Sequence, residues 1–234
     1  MTATSDSPAD EPTLRWLRHA PAGIAGSNQG EPRLGVLSGT FNPPTRGHLA
    51  LSERAAEELS LDEVLFVLPE TPPHKEELEA SLDERAQMLL LALTGHPKFS
   101  AAITTHGLFL DIHRAVVQHY PAATRLFFLA GRDAAERILL RWPYENPEKA
   151  LAEMFARFQF AVAERGGQLL VPADSPAARY KAQIYSVPMP PGYEKLSATL
   201  ARELVGRGEP IEDVVPKEVA SYIALCRLYQ GSIR

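Results

Sequence analysis

The sequence is poor in cysteine, in long apolar runs and in surplus positive charge, and each shortage removes a class of protein. Cys226 is the single cysteine among 234 residues, so neither an intrachain disulfide nor a cysteine-based zinc site can form. A reducing compartment, the cytoplasm, is expected. The longest aliphatic runs, such as Met88 to Leu93, fall far short of the ~20 residues that span a bilayer, and residues 1–13 lack the apolar stretch of a secretory signal. Neither membrane insertion nor export is expected. Lys plus Arg number 24 against 29 Asp plus Glu, a formal net charge of −5. Proteins that coat nucleic acid draw most of their affinity from a basic surface that neutralises phosphates, so no nucleic-acid partner is expected. A small anionic ligand in a locally positive pocket is compatible with this balance.

What is present is the composition of a globular chain, 45% hydrophobic and 23% charged. A chain of this length buries roughly 70–75% of the surface its unfolded form exposes, which suits one sizeable core. Residues 1–32 hold Pro8, Pro12, Pro21, Gly23, Gly26, Gly30 and Pro32 with little periodicity and read as an irregular N-terminal extension. Within it only Leu14, Trp16 and Leu17 look able to dock. Residues 33–234 form the single domain. There, apolar runs alternate with amphipathic stretches: strands at Leu34–Leu37, Val64–Leu68, Phe99–Ile103, Leu126–Ala130, Phe160–Ala163 and Ile184–Val187, and helices at Gly47–Leu59, Leu82–Leu93, Leu110–His119, Asp133–Leu140, Ser197–Val205 and Lys217–Leu228. Ser81 and Glu84 have the spacing of a capping box. The stretch from Glu164 to Tyr180 reads as a loop within the domain. Runs apolar on consecutive residues suit strands covered on both faces, so the expected fold is α/β, a Rossmann-like doubly wound parallel sheet with C-terminal helices.

In such sheets ligands bind outside the carboxyl ends of the strands. The first strand leads into Ser-Gly-Thr-Phe-Asn-Pro-Pro-Thr-Arg-Gly-His, residues 38–48, which matches neither G-x-G-x-x-G nor G-x-x-x-x-G-K-[ST]. Gly39 permits close backbone approach, and the prolines stiffen the path into the helix. Thr45 and His48 share one face of the first helical turn, beside unpaired amides and the positive end of the dipole, which makes an anion site with two added polar donors.

These residues resemble the first signature of the nucleotidylyltransferase superfamily, a [HT]-x-G-H element after strand one. Leu-Ser-Ala-Thr-Leu-Ala-Arg at residues 196–202 resembles its second, I-S-S-T-x-I-R. Pro72-Pro73-His74-Lys75, Gly131-Arg132-Asp133 with Trp142 and Tyr144, and the ending Val215-Pro216, Val219, Tyr222-Ile223 and Leu228-Tyr229 are similar to elements of one branch, the nicotinate or nicotinamide mononucleotide adenylyltransferases. The likeness covers about residues 33 to 230.

The resemblance implies adenylyl transfer from ATP to a pyridine mononucleotide, releasing pyrophosphate and forming a dinucleotide in NAD biosynthesis. It implies His48, Thr45, Lys75 and Arg202 as catalytic residues and Gly39, Thr40, Phe41, Asn42, Gly47, Ser197 and Thr199 as ATP-binding residues. Gly131, Arg132, Asp133 and Trp142 would contact substrate, with Asp133 on a ribose and Trp142 stacked on a base or pyridine ring. Mg²⁺ is the expected cofactor, carried mainly by phosphate oxygens without a protein metal cage. His48, Lys75, Arg132 and Arg202 are expected to converge at one edge of the sheet. Homo-oligomerisation is left open.

The chain departs from the family pattern at Ala198, which removes a hydroxyl, at Arg132, where a small residue is usual, and at residues 105–110, where a Ser/Thr-Tyr-Thr segment is usual. Two alternatives therefore stand beside the main reading: the same chemistry on another phosphorylated acceptor, and a noncatalytic nucleotide-binding protein. Taken singly, Ser197 is an ordinary N-cap, Lys75 a surface lysine, Asp133 a residue favoured by the helix dipole and Trp142 a packing residue. His106, Asp111 and His113 are not read as a metal site, because Asp111 and His113 lack the i, i+4 spacing that puts two ligands on one helical face.

Overall fold

The consecutive apolar runs become strands because both faces of the sheet are covered. A computed structural model describes residues 11–24, 30–72, 78–141, 145–164, 167 and 169–231. Its strands are β1 (Leu14–Arg18), β2 (Arg33–Ser38), β3 (Glu63–Pro69), β4 (Phe99–Thr104), β5 (Arg125–Ala130), β6 (Gln159–Ala163) and β7 (Ile184–Val187). They form one sheet in the order β1-β4-β3-β2-β5-β6-β7, parallel throughout except that β1 runs antiparallel to β4.

Successive strand residues point to opposite faces. Leu34, Val36, Val67 and Phe128 therefore pack on one side with α3 (Phe109–Val117), α4 (Arg132–Glu136) and α5 (Pro147–Phe155). Phe66, Leu68, Phe127 and Leu129 pack on the other with α1 (Arg46–Glu58) and α2 (Leu82–Ala92). A third cluster joins α2 to the closing helices α6 (Ala198–Gly206) and α7 (Lys217–Cys226) through Met88, Ala201, Val219 and Ile223. The chain builds outward from β2 through β3 to β4, then returns to place β5, β6 and β7 on the opposite side. The crevice outside the carboxyl ends of β2 and β5 is thus the topological switch point, where open α/β sheets bind ligands. No helix among the described residues is long and apolar enough to cross a membrane.

The doubly wound sheet agrees with the expectation from sequence, but the extension does not stay irregular. Leu14, Arg15 and Trp16 pair with Thr104, Ile103 and Ala102 at the edge of β4. Leu14 and Trp16 join the core on one face and Leu17 the core on the other, so this short alternation becomes a strand once an unpaired sheet edge is offered to it. The helix expected over residues 133–140 is instead α4 followed by a π-helical turn, Arg137–Arg141. The end of the expected loop, from Pro176 to Tyr180, belongs instead to a 3₁₀ helix, Pro176–Gln183, which stacks the Tyr180 ring on Phe155 at 4.5 Å. Helix α5 went unread, although Asn146 caps it by accepting from the Lys149 amide and Pro147 opens it.

Beyond β1 the extension is held by a buried carboxylate. Glu63, at the start of β3, accepts hydrogen bonds from the Ile24 amide at 2.8 Å, the Tyr120 hydroxyl at 2.6 Å and the Ser100 hydroxyl. A Cβ on Gly23 would lie 2.2 Å from Glu63 Oε2, so only glycine lets the backbone come this close. Burial, followed by the Glu63 charge, pushes the Tyr120 hydroxyl well above its usual pKa and keeps it a donor. Glu63→Ala should leave these donors unsatisfied and cost about 3 kcal/mol or more. The urea midpoint of the purified protein measures this, and an unchanged midpoint would show that the buried carboxylate contributes nothing.

Candidate active site

The loop from β2 into α1 is fixed from behind by residues remote in sequence. Asn42 is buried; its Oδ1 accepts from the Tyr229 hydroxyl at 2.7 Å and its carbonyl accepts from Arg202 Nη1 at 2.7 Å. The Thr40 carbonyl accepts from Arg85 Nη1 at 3.2 Å. Burial lowers the pKa of this enclosed guanidinium from its ordinary value. Phe41 takes a left-handed backbone (φ 44°), uncommon for a bulky residue, and its buried ring meets His48 edge-on at 5.3 Å between centroids. Phe41 and Asn42 thus shape the loop from its inner side, and residues 39–42 do not line the cavity described below.

Thr45 caps α1 and His48 completes a reciprocal box. The Thr45 amide donates to His48 Nδ1 at 2.9 Å, and the His48 amide donates to Thr45 Oγ1 at 3.4 Å. A ring nitrogen that accepts an amide proton carries none itself, so the neutral ring presents Nε2–H. Burial lowers the His48 pKa from 6.5 to about 4, although the ring keeps some accessible surface where it borders the cavity. Of the first three helical amides, that of Arg46 donates to the Val214 carbonyl and that of His48 to Thr45. The Gly47 amide has no partner among the described residues, and Gly47 lines the cavity.

That cavity, about 320 Å³, lies outside the carboxyl ends of β2, β5 and β6. At one end stand Thr45, Gly47 and His48, with Ser197 and Ala198 at the start of α6. Ser197 caps α6 by accepting from the Leu200 amide at 3.1 Å. Two helix N-termini therefore point their dipoles at one space, an arrangement that binds anions. Toward the other end stand Gly131, Arg132 and Asp133 after β5 and Glu164 after β6, with Phe109 and Met189 supplying apolar wall. Phe109 is stacked on Phe128 at 4.7 Å, which holds its ring.

Several expected residues meet here and others do not. His48, Thr45, Gly47, Ser197, Gly131, Arg132 and Asp133 share the cavity. Thr199 is exposed and outside it, and Ala198 occupies the lining position where a hydroxyl was missed. Arg202 lies behind the loop, bonded to Asn42 and 3.6 Å from Glu79, so it does not converge with His48 and Arg132 on the lining. Arg132 donates from Nε to Glu136 at 2.9 Å and from Nη1 to the Gly167 carbonyl at 3.3 Å. The Arg132 hydrogen bond, aided by the nearby charge of Arg141, lowers the Glu136 pKa. Lys75 and Trp142 lie outside the described residues. The sequence reading missed Glu164 and Phe109; the position of Glu164 directly after an apolar strand was the available signal.

Two helix N-termini at the switch point of a doubly wound sheet are the arrangement by which open α/β proteins bind anionic ligands. Comparison agrees. A model of the cytidylyltransferase-like family matches residues 36–204. A probable nicotinate-nucleotide adenylyltransferase of Halalkalibacterium halodurans is 35% identical over 205 residues, 85% of this chain and 91% of that protein. One of Salinispora arenicola is 34% identical over 200 residues, 83% of this chain and all of that protein, at 100%. The structure of Plasmodium falciparum nicotinic acid mononucleotide adenylyltransferase complexed with NaAD shares the fold, with a TM-score of 0.65 at 17% identity, covering 87% of this chain and 100% of that one. The chain belongs to the nicotinate-nucleotide adenylyltransferase family.

The folded His48 ring takes up its proton near pH 4, whereas an unfolded one does so near 6.5. Its contribution to stability is therefore complete above pH 6.5 and is lost as the pH falls toward 4. In a carbon-labelled histidine NMR titration of the ligand-free protein, one resonance should stay in the neutral form down to about pH 4 and vanish in His48→Gln. A His48 midpoint at 6.5 would contradict the buried, acceptor-Nδ1 geometry.

Proposed function

We propose that this protein transfers the adenylyl group of ATP to nicotinate mononucleotide, releasing pyrophosphate and forming the dinucleotide of NAD biosynthesis. The observation that carries the reading is the pairing of the α1 and α6 N-termini around one cavity, in a chain about a third identical to its family relatives over most of their length. The mononucleotide phosphate is ionised at neutral pH, so an oxygen of it can attack the α-phosphorus of ATP without a general base. The new P–O bond forms as the bond from the α-phosphorus to the bridging oxygen breaks, and pyrophosphate leaves with that electron pair. What the protein must supply is position and stabilisation of the negative charge moving onto the leaving group.

In this reading His48 acts as a neutral donor, its Nε2–H directed at phosphate oxygens. Thr45 holds the ring through Nδ1, and the Gly47 amide and the Ser197 end of α6 add further positive dipole. Arg202, carried by α6 itself, braces the loop through Asn42 and is assigned to the β- and γ-phosphates. Lys75 is assigned to close over the reacting groups. Asp133 is suited to a ribose and Trp142 to a ring, while the stacked Phe109 offers an aromatic wall where the usual polar segment is missing.

Mg²⁺ is assigned to the substrate phosphates and not to protein ligands. No group of three His, Cys, Asp or Glu among the described residues could hold a metal, and Mg²⁺ commonly rides on substrate phosphates and water. When bound it would neutralise phosphate charge. The reaction is assigned to the cytoplasm.

A pyrophosphate-release assay with ATP, Mg²⁺ and a panel of phosphorylated acceptors tests the reading. Turnover is expected with nicotinate mononucleotide first and the nicotinamide form second. Release with neither would overturn it. His48→Ala should lower kcat by ~10²-fold or more, the usual effect of removing one donor to a developing oxyanion, and unchanged turnover would remove His48 from the chemistry.

A further inference from the structure

The cavity carries one acidic group that the chemistry above leaves unused. Glu164 follows β6 immediately, lines the cavity and is partly buried. Its backbone is fixed by donation from its amide to the Val187 carbonyl at 2.9 Å, and its carboxylate by the Ser186 hydroxyl, which donates to Oε1 at 2.7 Å. The second carboxylate oxygen has no partner among the described residues. A carboxylate held this way accepts and does not donate, so the ligand must bring it a hydroxyl or an N–H.

Position decides which part of the ligand that is. Phosphates are drawn to the α1 and α6 termini and are repelled from a carboxylate. β6 stands two strand spacings, about 10 Å, from β2, so a nucleotide with its phosphates at His48 has passed from phosphate to nucleoside by the time it reaches Glu164. Asp133, one strand nearer, has the same preference for a donor. From this geometry we infer that Glu164, oriented by Ser186, accepts a hydrogen bond from a ribose hydroxyl of ATP and makes the site select ribonucleoside over deoxyribonucleoside triphosphate.

The inference rests on reading this cavity as the ATP site. Calorimetric binding of ATP, 2′-deoxy-ATP, 3′-deoxy-ATP and ITP to the full-length protein and to E164A and E164Q tests it without requiring turnover. The wild type should bind at least one deoxy analogue about tenfold or more weakly than ATP, the scale of a hydrogen bond to a charged group. E164A should bring that penalty to within about twofold by weakening ATP rather than the analogue. E164Q, which keeps an acceptor oxygen but not the charge, should retain an intermediate penalty, and it carries the test alone if E164A does not fold. Wild type without a penalty for either analogue overturns the inference, as does a full penalty retained in E164A, or in E164Q when that variant stands alone. A change in E164A confined to the preference of ATP over ITP also overturns it, because Glu164 would then read the base. No binding of ATP to the wild type would instead overturn the ATP site itself.

Discussion

Thr45 and His48 hold each other through two hydrogen bonds across one helical turn, and the geometry of the cavity's phosphate end, as proposed, depends on that closed arrangement. The amide on Nδ1 selects the tautomer, the tautomer aims Nε2–H outward, and the ring of Phe41 fixes the plane of the imidazole. None of this would persist if the loop before α1 could slide. Its backbone is pinned by Arg85 at Thr40 and by Arg202 at Asn42, and its one buried amide side chain is pinned by Tyr229, 187 residues away in sequence. The closing helices therefore do more than cover α2: they set the geometry of a site whose first residues lie near the other end of the domain.

This long-range dependence explains what a linear reading could and could not find. β2, β3 and β5 were legible because each is apolar on consecutive residues, a pattern that only a strand covered on both faces requires. Helices α1 and α2 were legible as amphipathic stretches, and Ser81 marks the start of the second. β1 was not, since its short alternation sits among prolines and glycines and becomes a strand only by pairing with β4. Ser-Ala-Thr-Leu-Ala-Arg announced a helix start at Ser197, but nothing in it states that Arg202 turns to the Asn42 carbonyl while Thr199 faces solvent. Such facts belong to tertiary packing. Glu164 lies between these cases: its place at a strand's carboxyl end could be read, but its orientation by Ser186 depends on β7 lying beside β6.

The charge balance becomes intelligible at the level of the site. A chain with a net charge of −5 that binds two polyanions would suffer if its cations stood clustered and unbalanced before the ligands arrived. Two like charges 4 Å apart repel by roughly 4 kcal/mol at an effective dielectric near 20. The arrangement here avoids that cost. His48 is neutral, Arg132 is engaged by Glu136, and Arg202 lies 3.6 Å from Glu79. The anion-attracting potential at the phosphate end comes instead from helix dipoles and amides, which carry no net charge and need no counterion. The same like-charge repulsion applies to Asp133 and Glu164. Beside a phosphate they would oppose binding, whereas displaced along the sheet by one and two strands they stand where the proposed nucleotide is uncharged and rich in donors. On the proposed reading the acidic residues of the cavity set the direction of the ligand: the helix termini attract phosphates, and only one direction keeps those phosphates away from the carboxylates.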